Sequence, residues 1–193
     1  SSIKDLIQIK KEFVINKLSK VRLVAPDGNY FELKFKNPNI LLDRAKFDRY
    51  LARLAKNAGA KIYLNHKFKD YKKPFVYFEN NKSYKTRYLV GADGPSSRVA
   101  QISGLYNKRK FVIGMQARYY ADVDKDTIEF YLNKKSFGWV VPESKNIARI
   151  GIVAHSNSNI IFKDFLNKIG KRLKLIEYQS GLIPVYDPRI KTQ

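Results

Sequence analysis

Cysteine is absent from the 193 residues. That excludes a disulfide framework, a thiolate zinc site, an iron–sulfur cluster and a cysteine nucleophile. Histidine is nearly absent: His66 and His155 stand far apart, and no metal site is expected from them. No apolar run approaches the ~20 residues that cross a bilayer, and no signal-peptide segment opens the sequence. The expectation is a soluble, cytoplasmic protein, with peripheral membrane contact left open. Glycine is sparse and spaced. No two of the ten lie closer than three positions, so Gly-x-Gly-x-x-Gly, the fingerprint of a dinucleotide-binding βαβ unit, does not occur. Acidic residues are outnumbered, 17 Asp+Glu against 38 Lys+Arg, for a formal net charge of +21.

Against these absences stands a chain rich enough to fold. Hydrophobic residues make up 44% and aromatics 13%, which argues for a buried core and against wholesale disorder. The charge predicts attraction to polyanions: nucleic acid, anionic lipid headgroups or a phosphorylated ligand. Lysine dominates over arginine, and the cations are spread along the whole length, so a lysine-rich solvated surface is an equally good reading of charge alone.

Three segments are expected. Residues 1–37 read as a β-meander, with strands over 13–17, 21–25 and 30–35 and a Pro26-Asp27-Gly28-Asn29 turn. Residues 38–109 open on a helix: Asp43 suits its N-cap, Phe47, Tyr50, Leu51, Leu54, Ala55 and Ala58 follow the 3.6-residue period, and Gly59 suits its end. Strands are predicted at 61–64, 75–78 and 84–90, then a short helix from Pro95 to Ile102. Residues 110–193 hold four strand-like runs, at 111–120, 127–132, 137–141 and 147–153. An amphipathic helix over 160–169 and a last short strand over 182–186 follow. The fold class is α+β, with an antiparallel sheet in the third segment.

The strongest local signal is the strand–Gly91-Ala92-Asp93-Gly94–helix junction. Glycines permit close approach to the backbone, and a helix start with unpaired N–H groups suits a diphosphate. Asp93 could accept from a ribose hydroxyl; it could equally be the cap of a tight turn. Phe137 and Trp139 read either as lining of a pocket or as ordinary sheet core. No Ser/His/Asp order and no paired carboxylates stand out, so no catalytic acid or base is named.

Five motifs together resemble one family. Asp43-Arg44-Ala45-Lys46-Phe47-Asp48-Arg49-Tyr50-Leu51-Ala52, with Ala55 and Gly59-Ala60, is similar to a helix of the geranylgeranyl reductase family. These are FAD-dependent oxidoreductases of the p-hydroxybenzoate hydroxylase-like superfamily. Val90-Gly91-Ala92-Asp93-Gly94-Pro95-Ser96-Ser97-Arg98-Val99-Ala100 resembles the family's second flavin motif. Phe137-Gly138-Trp139-Val140-Val141-Pro142, then Ile150-Gly151-Ile152, resembles its Tyr-x-Trp-x-Phe-Pro substrate strand and the strand after it. Arg22–Gly28 and Gly181-Leu182-Ile183-Pro184 fit the same order.

The resemblance implies a partial FAD-binding α/β layer in residues 38–109 and an antiparallel substrate-binding sheet in 110–193, with the meander packed on it. Arg44 would sit near the FAD diphosphate, and Ala92, Asp93 and Gly94 against its ribose and phosphates. Phe137, Trp139, Val141 and Pro142 would line an elongated apolar pocket. Phe137 replaces the family tyrosine and Val141 its phenylalanine. The family's Cys-Gly and Gly-Asp-Ala motifs are missing at either end. The implied protein is therefore the middle of a longer enzyme, or one half of a split one, whose partner chain supplies the Gly-rich unit and without which FAD is not held. The implied reaction is flavin-dependent reduction of carbon–carbon double bonds in an isoprenoid or polyprenyl lipid, with the flavin first reduced by an external donor. A flavin monooxygenase of the same superfamily is the first alternative. A basic module binding nucleic acid through stacked Tyr and Phe is the second, although no specific nucleic acid is implied.

Overall fold

A seven-stranded sheet frames the structure, a computed structural model that describes residues 7–106, 109–133, 136–170 and 172–188. In chain order the elements are a 3-10 turn (Lys11–Phe13), β1 (Val14–Val24), β2 (Tyr30–Leu42), α1 (Arg44–Asn57), β3 (Phe68–Lys72), β4 (Phe75–Phe78) and β5 (Ser83–Lys85). Then come α2 (Arg98–Ile102), β6 (Phe111–Tyr120), β7 (Thr127–Leu132), β8 (Ser136–Pro142), β9 (Ile147–Ala154), α3 (Ser158–Ile169) and β10 (Lys174–Pro184). The large sheet has the order β10-β6-β9-β8-β7-β1-β2, and β3-β4-β5 form a separate small sheet. All pairings in the large sheet are antiparallel except β1 with β7, which is parallel.

β1 and β2 extend the large sheet edge to edge. Their turn forms as the Pro-Asp-Gly-Asn sequence predicts: Ala25 N–H donates to the Asn29 carbonyl at 2.8 Å, and Asp27 accepts from the Asn29 amide at 3.0 Å. β1 is one strand rather than two, because its pairing with β2 continues across register irregularities at Val14/Asn16 and Leu18/Lys20, which break its alternation without ending it. β2 runs on through Pro38, which an edge strand tolerates because it needs no donor on its outer side. An ion-pair network crosses the parallel seam: Arg22 meets Glu129 at 2.8 Å and Glu32 at 2.9 Å, and the Tyr131 hydroxyl donates to Glu129 at 2.8 Å. Burial, reinforced by that hydrogen bond, pushes the Tyr131 phenol well up.

Alternation decides the core. On β6, β8 and β9 one side chain in two faces α3, and Met115, Ala117, Val140, Ile150 and Ile152 are buried there against Phe162 and Phe165. Each large aliphatic side chain so buried contributes ~1.5–3 kcal/mol. Gly138 faces the same layer, and a Cβ at that position would collide with the Phe165 ring at 2.6 Å. Tyr131 packs edge-on against the same ring, with centroids 5.1 Å apart. α3 ends at Gly170 in the left-handed region, φ +65°.

Residues 38–109 fold with less cover. α1 forms as the sequence predicts: Asp43 caps it by accepting from Lys46 N–H at 3.0 Å, and Gly59, at φ +94°, closes it. Only its Phe47–Tyr50 end is buried, both rings 5.2 Å from Phe13. The expected strand at 61–64 does not form, and of the expected 84–90 strand only Tyr84 and Lys85 are in one, at the end of β5. A strand exists by pairing. Among the described residues Ile62-Tyr63-Leu64 and Tyr88-Leu89-Val90 have no neighbouring strand, and Tyr88 and Val90 are 85% and 84% exposed. β10 differs the other way. It begins at Lys174, because Glu177, Gln179 and Ser180 pair along β6 despite their polarity.

Candidate functional site

The face of the large sheet opposite α3 carries no helix among the described residues, and its side chains fall into transverse rows. Register sets them. One row runs Leu132–Phe137–Val153–Gly114–Gly181, the next Phe130–Trp139–Gly151–Gln116–Gln179, and a third brings Val141, Arg149, Arg118 and Glu177 together. Phe130 stacks on Phe137 at 5.2 Å, and Trp139 lies 6.4 Å from Phe137. Gly151 is the floor under the indole: a Cβ there would run into Trp139. A groove of about 360 Å³ opens beside Trp139 over Gly114 and Gly181, walled by Gln116, Leu182 and Ile183. Gly181 leaves open space where a side chain would stand, whereas Gly151 makes room for Trp139 and Gln116, and Gly114 for Ile183.

Phe137, Trp139 and Val141 thus share the open face, where Phe137 is 39% exposed and Trp139 and Val141 are half-buried. Pro142 departs from them. It points to the opposite face, where it is fully buried, and its carbonyl accepts from Asn16 at 2.9 Å. The strand's own alternation places it there, one residue out of phase with Trp139.

The sequence reading passed over the polar end of this face. Glu143, one step beyond β8, is buried and receives Arg118 through Nε at 3.0 Å and Nη2 at 2.7 Å, and Arg149 through Nε at 2.6 Å. Arg118 also reaches Glu177 at 3.5 Å, Gln179 donates to Glu177 at 3.0 Å, and Gln116 donates to Gln179 at 2.8 Å. Burial would raise the Glu143 carboxyl, but the hydrogen bonds from Arg118 and Arg149 outweigh it and hold the group below the usual glutamate range. The signal was present: Gln116 and Arg118 alternate with apolar Met115, Ala117 and Tyr119, the pattern of a strand with one polar face.

At the second junction, Asp93 lies at the surface with Gly91, Ala92 and Gly94 beside it. Its carboxylate accepts from the Ser97 hydroxyl, from Arg98 N–H at 2.7 Å and from Val99 N–H at 3.1 Å. It is therefore the cap of the turn that starts α2. The Ser97 bond chiefly, with the two amides and against a smaller effect of burial, holds the carboxyl below the ordinary aspartate range. Gly94 at φ +86° makes the turn, so the helix starts at Arg98 with Ser97 as N-cap rather than at Pro95. Three bonds leave about one of a carboxylate's four acceptor positions for a ligand, and nothing covers Ala92 or Gly94. The corner is compatible with a dinucleotide's sugar and diphosphate, the second of them without a Gly-x-Gly-x-x-Gly cradle. Arg44 is also exposed, at the start of α1, paired with Asp48 at 3.3 Å. α1 packs on the 3-10 turn and α2 on β3, so Arg44 and Asp93 are held by different neighbours. No cluster of metal-ligating side chains occurs among the described residues.

No family model matches the chain. Curated relatives do. A digeranylgeranylglycerophospholipid reductase of Methanosarcina acetivorans is 26% identical over 211 residues, covering 95% of this chain and 52% of that protein. One from Methanocaldococcus jannaschii is 30% identical over 206 residues, covering 94% and 52%. The chain spans about half the length of the curated relatives it matches. Among solved structures, a geranylgeranyl bacteriochlorophyll reductase-like protein of Thermoplasma acidophilum superposes with a TM-score of 0.79 at 22% identity, over 94% of this chain and 53% of that one. A myxobacterial chondrochloren halogenase, a variant of the FAD-dependent halogenases, gives 0.66 at 13% identity, over 90% and 50%. The chain is thus similar in sequence to the digeranylgeranylglycerophospholipid reductases over about half their length and shares the fold of the solved geranylgeranyl bacteriochlorophyll reductase-like protein and the FAD-dependent halogenase.

Proposed function

We propose that this chain forms the substrate-binding half of an FAD-dependent reductase that saturates carbon–carbon double bonds of geranylgeranyl chains on a glycerolipid. The observation that carries the reading is the open sheet face: an aromatic and glycine floor around Trp139, shaped as a groove for an extended apolar chain. Trp139, Phe137 and Val141 hold the chain flat, and the apolar row through Val153 keeps water from it. Asp93, Ala92 and Gly94 receive the ribose and diphosphate of FAD at the second junction, and Arg44 adds a cation toward the diphosphate. Bound FAD supplies the hydride chemistry. The exposed apolar residues Ile62, Leu64, Tyr88 and Val90 are the surface on which a unit bearing the missing Gly-rich fingerprint packs. Without that unit the chain does not retain flavin; a flavin spectrum that survives desalting of the isolated chain would contradict this.

The test is product analysis. The polypeptide that carries this chain, given FAD, excess dithionite and a geranylgeranyl-bearing glycerolipid, should add two hydrogens per reduced double bond by mass spectrometry. Trp139→Ala should lower the turnover about tenfold while the flavin spectrum stays unchanged. A product that gains oxygen under air instead, with no saturation, would replace the reductase reading by a monooxygenase.

A further inference from the structure

The open face is graded along the strand direction, and the grading has a chemical consequence. Its first row is apolar, its second ends in the amides of Gln116 and Gln179, and its third carries two guanidiniums, Arg149 and Arg118, before it ends at Glu177 on the edge strand. A ligand lying along this axis is apolar over most of its length and polar at one end. We propose that Arg149, with Arg118 beside it, is the seat of a phosphate-class headgroup whose attached chain runs back over Trp139 toward Phe137 and Val153. This rests on the reading of the open face as the lipid-binding face and adds its direction and its polar anchor.

Three observations argue for the seat. Arg149 gives only Nε to Glu143, and among the described residues no group accepts from its two terminal nitrogens, although its side chain is only 21% exposed. A guanidinium offers those nitrogens as a planar fork that matches two oxygens of a phosphate. Glu143 fixes the fork: it binds both arginines from below, so neither loses much freedom when an anion arrives. The remaining contact of Arg118, to Glu177, is long at 3.5 Å and exposed on the edge strand, the bond that yields to an incoming anion. Arg118, Arg149, Glu143 and Glu177 are charge-balanced as they stand; release of Glu177 leaves one net positive charge facing the groove.

Trp139 is the sole tryptophan, so its emission reports occupancy of the groove directly. The chain is titrated, below micelle formation, with monododecyl phosphate, with the neutral dodecyl maltoside and with inorganic phosphate. The expected result is saturable change of emission by both amphiphiles, at about tenfold lower concentration for the phosphate, and no change with inorganic phosphate at the same concentration. Arg149→Gln should abolish the tenfold preference while dodecyl maltoside still binds, and Arg149→Lys should restore part of it. Lys69→Gln, an equal loss of charge on the small sheet, should leave the preference intact; if it abolishes it, diffuse charge and not the seat is responsible, and the proposal fails. Equal binding of the two amphiphiles in the unaltered chain overturns the seat but leaves the groove. Binding of neither overturns the groove reading itself. An emission change with inorganic phosphate alone, not bettered by the alkyl phosphate, overturns the link between seat and chain.

Discussion

Glu143 shows how much one residue organises the polar end of the open face. It is buried, and its carboxylate ties β8 to β6 and β9 through two arginines. Removing it leaves Arg118 and Arg149 facing each other across the β6–β9 pairing without the counter-ion they share, Arg118 keeping only its long contact to Glu177. Glu143→Ala should cost about 1–3 kcal/mol, read as a lowered midpoint in urea, and Glu143→Gln less. Its folded pKa is depressed, so its contribution is present above the unfolded glutamate value, ~4.3, and is lost as pH falls through the lower folded value. The Gln variant should therefore show a flatter loss of stability than the parent chain as pH falls below about 5. Asp93 behaves likewise with a local readout. Asp93→Asn should speed hydrogen exchange at the Arg98 and Val99 amides, which donate to it, and leave exchange in β6 and β9 unchanged.

At the scale of elements, strands that share a sheet answer differently to the same substitution. Gly138 and Gly151 sit on adjacent strands and on opposite faces. Gly138→Ala forces a methyl into the Phe165 ring in the packed layer, and overpacking of this kind costs ~1–3 kcal/mol. Gly151→Ala instead meets the Trp139 ring and, at 2.6 Å, the Gln116 Cβ of the adjacent strand on the open face. Its expected effects are a displaced indole with a shifted Trp139 emission and a lowered melting temperature, whereas Gly138→Ala lowers the melting temperature with the Trp139 emission unchanged. Elements were legible in the sequence where local chemistry decides them. Asp43 and Gly59 bound α1, Pro26–Asn29 makes the β1–β2 turn, and aromatic and β-branched runs between short polar connections mark β6 to β9. Elements failed where a distant partner decides them. Apolar and aromatic side chains were not enough at Tyr88-Leu89-Val90, whose β propensity has no adjacent strand to pair with, and β10 was cut short because its pairing, not its polarity, makes it a strand. The open face was legible only in part. Trp139 and Phe137 stood in a resemblance, whereas Arg118 and Glu143 lie 25 residues apart, and Arg149 reaches Glu143 only across a hairpin.

For the whole molecule, two surfaces of different character lie on one chain. One is the groove around Trp139. The other is cationic: Lys69, Lys72 and Lys82 surround a hollow of about 310 Å³ on the small sheet, in a chain of net charge +21. Among the described residues no helix is long and apolar enough to cross a membrane. Lysines near an anionic bilayer contribute about 1 kcal/mol each, so vesicles rich in phosphatidylserine should co-sediment with the chain at low salt and release it as salt rises, while neutral phosphatidylcholine vesicles should not. The groove is the surface on which the enzymatic reading stands. It is tested most directly by photo-cross-linking the chain with a diazirine-bearing geranylgeraniol, an uncharged probe, and mapping the labelled peptides by mass spectrometry. Labels should concentrate in 112–116, 137–141 and 179–183, and excess unlabelled geranylgeraniol should compete them away. Labels confined to α3, to the small sheet or to no saturable place would contradict a lipid chain held over Trp139.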